Sequence, residues 1–178
     1  MKKKTKILMG AAALSLAIAG GVSTLSASSH EGATGVVKER MDSMKAIGGA
    51  MGAIKGNMAG SDLTNQVALL EAAKTMMANS GSNLVDLFPA GSDQTPTRAL
   101  PSIWEKPDEF AAISNDLQQA ALALALSATK AMDGDASALG VTPTTETTAL
   151  SAEAVPAIFK AIAKNCGACH QGYRAPKG

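Results

Sequence analysis

Residues 164–174 read KNCGACHQGYR and hold both cysteines of the chain, Cys166 and Cys169, with His170 directly after the second. Three chemistries use such a run: a redox-active dithiol, half of a zinc site, or a covalent haem anchor. An oxidoreductase dithiol sits at a helix N-terminus beside a strand, where the helix dipole lowers the thiol pKa. Here the pair falls near the end of a helical stretch, in a chain with no long alternating pattern for a sheet. Zinc needs four ligands. Cys166, Cys169 and His170 supply three, and the other histidine, His30, lies beside the N-terminal apolar run. A disulfide across two intervening residues closes too small a loop to stabilise much. The haem reading needs no further residue. Both thiols add to vinyl groups, and the adjacent histidine becomes the axial ligand. It is the preferred reading, with a thiol oxidoreductase or zinc module as the remaining ones.

Working outward to the N-terminus, Lys2, Lys3, Lys4 and Lys6 precede an apolar run from Ile7 to about Val22, followed by small polar residues. That is the layout of a secretory signal peptide, residues 1–28, with cleavage near Ala27 or Ser28. The remaining domain, 29–178, is expected to be exported to the periplasm, where c-type haem is attached. No later run has the length of a membrane span, so no stable membrane insertion follows leader removal. Of 16 basic and 15 acidic residues, four lysines fall in the leader, leaving 12 against 15, about −3. That balance is no footprint for nucleic acid. The only aromatics are Phe88, Trp104, Phe110, Phe159 and Tyr173, a scarcity that suits packing around a large flat cofactor.

Four amphipathic stretches are predicted to be helices: about 35–54, 63–79, a third from Trp104 or Pro107 through Met132, and about 152–173. In the first, Met44, Ile47, Met51, Ile54 and Met58 recur at intervals of three and four, which marks a bundle seam. "GNMAGSD" is expected to end it, with Ser61 or Asp62 capping the second. A Gly-, Pro- and Ser-rich connection covers 80–103, and a Thr-rich loop without core character covers 133–151. The fold class is all-α, an antiparallel up-down-up-down four-helix bundle with covalently bound haem. In that topology the end of the fourth helix, the start of the first and the 80–103 connection share one end, bringing Cys166–His170 towards Arg40–Met44, Arg98 and Trp104. The Thr-rich loop belongs at the other end.

"CGACHQGYR" at the end of the fourth helix resembles the cytochrome c prime family, whose members close on Cys-x-x-Cys-His-x-x-Tyr/Phe-Arg. "VVKERMDSMKAIGGAMGAIKG", "DLFPAGS" and "TRALPSIWEKPDEF" are similar to the same family, so the resemblance covers nearly the whole mature chain. The departure is "GVTPTTETTALSAEAVPA", longer than the family's last loop. The resemblance implies a distal residue on the first helix, four after an arginine: Arg40 is followed by Met44. An apolar residue there leaves a five-coordinate, high-spin site open to small gases. Methionine implies the low-spin, cytochrome c-556-like branch, with Met44 as sixth ligand opposite His170. Met/His ligation serves electron transfer and raises the reduction potential. Read from its own pattern, Met44 is equally an adaptable core filler, and Met41 is the competing ligand.

The resemblance further implies that Arg40 reaches a haem propionate and that Arg174, on the same helical face as His170, lies near the haem. The bland alternatives are a solvated charge and a cation at a helix C-terminus. Trp104 is expected either to pack on the haem edge or to anchor its loop. The expected function is a monohaem one-electron carrier holding one covalent haem c and serving redox partner proteins, with a homodimer allowed by the small-residue face "GGAMGAI". The alternative is a high-spin or easily opened protein binding gases such as nitric oxide. No acid/base pair or nucleophile constellation argues for an enzyme, and Glu39 and Asp42 look like surface charges.

Overall fold

The computed structural model describes residues 32–60, 65–94 and 96–176. The leader, His30, Ser61 and Asp62 lie outside them. In chain order the helices are α1 (Gly35–Ala59), α2 (Gln66–Ala78), α3 (Ser82–Val85), α4 (Ser102–Glu105), α5 (Pro107–Ala131), α6 (Thr145–Ser151) and α7 (Val155–Tyr173), with a 3₁₀ turn at Ala136–Leu139 before α6. The four long ones, α1, α2, α5 and α7, make the bundle.

Local chemistry accounts for their ends. The Asn65 side chain accepts from the Ala68 N–H at 3.0 Å, so the cap of α2 is Asn65. Pro107 opens α5, where a missing N–H leaves no bond unmade. Asp108 and Glu109 then complement the positive end of the dipole and Lys130 the negative end. Helix α7 starts at Val155, later than the expected 152, which puts Pro156 in the first turn. Conversely, α1 runs through Gly56 to Ala59, past its expected end. Met58 packs on the core there, and burial of its side chain outweighs the modest helix cost of Gly56.

The core joins Ile47 and Ile54 of α1, Leu69 and Met76 of α2, Ala121–Ala125 of α5, and Ile158 and Ile162 of α7. Helix α5 is central, and its alanines let neighbours approach closely. It packs against both α2 and α7, and α2 packs against α1, but α1 and α7 barely touch. The bundle is thus left open along one seam. The buried line of α1 is Arg40, Ser43, Ile47, Ala50 and Ile54. The methionines of the expected seam fall beside that line: Met44 is 36% exposed and Met51 half-buried.

Backbone-directed bonds tie the 80–103 connection to the end of α7, among them one from Arg98 Nη2 to Ala175 O. The Leu100 N–H donates to Tyr173 O at 3.0 Å, the Ala175 N–H to Arg98 O at 2.8 Å, and Ser102 Oγ to Gly172 O at 2.7 Å. The connection also contains the one-turn helix α3 and runs into a second, α4. Its start is knotted to α5: the Gly81 N–H donates to Ser114 O at 3.1 Å, and Ser114 Oγ returns a bond to Gly81 O at 3.0 Å.

The Thr-rich segment corrects two expectations. It is not devoid of core character, and it does not stay at the far end. It folds back to the middle of α5, where Thr147, 3% exposed, donates from Oγ1 to Gln119 Oε1 at 2.6 Å. Thr144 caps α6 by accepting from the Thr147 N–H at 3.0 Å, and Leu139, Val141 and Leu150 pack on the core. A run of threonines with a few scattered apolar residues carries no clear period, so this packing has no signature in the sequence.

Candidate functional site

Two adjoining apolar cavities occupy the seam between α1 and α7, of about 280 Å³ and about 390 Å³. Both are lined by Met44 from α1, Leu84 from α3, and Cys169, His170 and Arg174 from the end of α7. Met41 faces the first cavity only, and Cys166 the second only. The walls of the first come from a second apolar cluster, which gathers four of the five aromatics: Phe88, Trp104, Phe110 and Tyr173. Phe110 is the hub, edge-on to Phe88 at 5.0 Å and to Tyr173 at 5.4 Å. The scarce rings are therefore concentrated at the cavity.

Cys166 packs on the main core and Cys169 on the aromatic cluster, so the two thiols sit at the join between them. Neither is in a disulfide. Burial pushes both thiols up. For Cys169, burial and then the neighbouring Cys166 raise it to about 11, against a smaller opposing pull from Arg174. An exchange-active thiol needs the opposite shift. Burial, then the charges of Arg174 and Arg98, push the His170 imidazole below its ordinary value. The neutral form so favoured is the one that ligates metal. Among the described residues no group of three or more His, Cys, Asp or Glu side chains is placed to hold a metal ion.

The cations at the cavity differ in what they touch. Arg40 is buried, and three of its N–H donors are engaged by the 86–92 loop: Nε by Leu87 O, Nη1 by Ser92 O at 2.8 Å, and Nη2 by Ser92 Oγ. Its guanidinium carbon lies 4.3 Å from the Phe88 ring centroid. Trp104 stands outside the cavity lining, sharing its N–H between Phe88 O at 3.0 Å and Pro89 O at 3.1 Å. These two bonds tie its ring to the loop at Phe88 and Pro89. Arg174 is exposed. Lys45 pairs with Asp42 at 3.6 Å. Arg98 donates from Nη2 to Ala175 O, while its Nε is shut off from solvent with no acceptor.

A family model described as cytochrome C′ matches residues 35–174. The chain belongs to the cytochrome c′ family. It is 33% identical over 145 residues to cytochrome c-556 of Agrobacterium fabrum, covering 82% of this chain and 84% of the relative. Cytochrome c-554 of Cereibacter sphaeroides is 29% identical over 107 residues, 58% of this chain and 65% of that protein. Among solved structures, cytochrome c′ from Thermochromatium tepidum superposes with a TM-score of 0.60 at 27% identity, covering 84% of this chain and 98% of that one. Cytochrome c′ from Rhodopseudomonas palustris does so with 0.58 at 25%, covering 82% and 100%. The cofactor of a cytochrome c′ is covalently attached haem c, one per chain.

The residues present fit that group. The seam offers an apolar slot, two thiols and an imidazole on one helix face, and Arg40, Lys45, Arg98 and Arg174, with no Asp or Glu in either lining among the described residues. Two contributors went unread in the sequence. Leu84 lines both cavities and Phe110 organises the ring cluster, and the only available signal was that so few aromatics fell in three neighbouring segments.

Proposed function

We propose that this cytochrome c′ relative is an exported one-electron carrier with His/Met-ligated, low-spin haem. Cys166 and Cys169 would hold the haem as thioethers, His170 would be the proximal ligand and Met44 the sixth. Bound there, haem c supplies the redox couple. The chain's own residues would exclude water with the Leu84–Phe88–Phe110 wall, favour the neutral His170 imidazole, and offer Met44 from the lining that both cavities share.

A single observation carries this reading. Met44 on α1 and His170 on α7 line the same two cavities from two helices that barely touch each other. Met44 lies off the buried line of α1, so core filling does not account for it. Met41 lines one cavity only, which favours Met44. A sixth protein ligand limits rearrangement between redox states and closes the site to exogenous gases until it is displaced.

Export rests on the basic and apolar leader, and delivery to the periplasm follows from it. Among the described residues no helix is long and apolar enough to cross a membrane. Partners would be redox proteins rather than nucleic acid. Pairing of two copies through α1 is supported by Gly48, Gly49, Gly52 and Gly56, none of which has a heavy atom within 4 Å of a built Cβ.

Absorption and EPR spectra of the oxidised holoprotein test the ligation, compared with Met44→Ala and Met41→Ala. Low-spin wild type with a methionine–iron charge-transfer band, lost only in Met44→Ala, is expected. High-spin wild type unchanged by either substitution would overturn it and make gas binding the leading reading.

A further inference from the structure

We infer that Arg98 binds a haem carboxylate in this chain, an assignment that rests on haem c occupying the α1–α7 cavity. Haem c brings two carboxylates, and drawing a carboxylate from water requires a cation that can also donate hydrogen bonds. Among the described residues no Asp or Glu lines either cavity, while Arg40 and Lys45 from α1, Arg98 from the connection and Arg174 after α7 line the first and bias it towards an anion.

Their other contacts separate them. Lys45 has Asp42 as partner and is 73% exposed. Arg40 is fastened to Leu87 and Ser92 by three donors. Arg174 is exposed. Arg98 alone combines a fixed position with an unmet donor. Its backbone oxygen accepts from the Ala175 N–H at 2.8 Å and its Nη2 donates to Ala175 O, which clamps the guanidinium beside the end of α7. No carboxylate lies within ion-pair distance among the described residues, and Nε is buried without an acceptor. A buried donor left unpaired is costly, and native proteins rarely keep one unless a ligand or water completes it. A carboxylate held by Nε and Nη of one guanidinium is the planar, bidentate pairing that arginine favours and lysine cannot reproduce.

The test uses purified holoprotein of wild type, Arg98→Gln, Arg98→Lys and Arg40→Gln. Covalent haem is first quantified as the pyridine haemochrome. Its absence from wild type would remove the site itself and with it both this assignment and the haem reading. With haem present, ionisation of the haem carboxylates is followed by infrared difference spectroscopy over a titration centred on the carboxylate range. Loss of a bonded cation raises a carboxyl pKa. Arg98→Gln is expected to move one haem carboxyl upward by about one pH unit, a tenfold gain in proton affinity. Arg98→Lys, which keeps the charge but loses the fork, is expected to move it by less, and it carries the comparison should Arg98→Gln fold poorly. Arg40→Gln is expected to move it least. Titration unchanged in both Arg98 variants, or moved only by Arg40→Gln, would overturn the assignment.

Discussion

Arg40, in the second turn of α1, donates from Nη1 to the backbone oxygen of Ser92 at 2.8 Å across 52 residues of chain. With Nε on Leu87 O, Nη2 on Ser92 Oγ and the guanidinium over Phe88, it fastens α1 to the loop carrying the cavity's aromatic wall. The seam between α1 and α7 is therefore held at its end by side chains, since the two helices give it little direct packing.

Arg40→Gln should lower holoprotein stability by about 2–4 kcal/mol, because charge-assisted bonds are lost and part-buried carbonyls are left without donors. Arg40→Lys should recover little, since one ammonium cannot reach both Leu87 and Ser92 as a planar fork does. Denaturant unfolding monitored by helicity measures both. A loss under about 0.5 kcal/mol for Arg40→Gln would mean that Trp104 and Phe88 hold the loop unaided.

Gly81, with φ of +65°, starts the turn that leads into α3, and an added Cβ would lie 2.6 Å from the Gln118 side-chain amide. That amide cannot simply swing away, because its Nε2 donates to Met77 O at 3.1 Å and Ser80 O at 3.2 Å. Gly81→Ala should cost about 2–3 kcal/mol through left-handed backbone strain and loss of those bonds. It should also loosen Leu84, which lines both cavities. A thermal midpoint unchanged from wild type would contradict the described turn.

Tyr173 is the chain's one tyrosine, 6% exposed, and burial followed by the nearby Glu109 carboxylate pushes its hydroxyl above the ordinary value of 10.0. The unfolded chain releases this proton first as pH rises. The stability Tyr173 contributes is therefore complete below about pH 10 and declines as pH climbs through that value. Absorbance at 295 nm should show a single ionisation with a midpoint above 10, and Tyr173→Phe should move the onset of alkaline unfolding upward. A midpoint at or below 10 would show that the ring is not enclosed in the folded protein.

Several features were legible because they are local. The run from Cys166 to His170 is a spacing within little more than one helical turn, and its chemistry follows from which ligands are absent as much as from which are present. The four long helices were legible from apolar periodicity and from the breakers between them, since both signals lie within a window of a few turns. Their antiparallel order puts the start of α1, the end of α7 and the 80–103 connection at one end of the bundle.

What escaped depends on partners far away in the chain. Periodicity placed Met44 on a seam of α1. Only the packing of α2 against one side of that helix, and the near-absence of contact with α7, put Arg40, Ser43 and Ile47 inside and turned Met44 to the cavity. Likewise Thr147 reads as a loop residue until Gln119, on another helix, offers it an acceptor. Arg98 reads as a loop cation until Ala175 clamps it and the burial of Nε leaves a donor unmet.

The amino-acid sequence by itself determined the four long helices, their antiparallel order and the thiol–imidazole run, because those rest on backbone period and covalent spacing. The tertiary structure alone decided which helix pair stays apart, which methionine lines both cavities, and which arginine there keeps an unmet donor. Those depend on how neighbouring helices share a core made largely of alanine, leucine and methionine, whose packing no local pattern specifies.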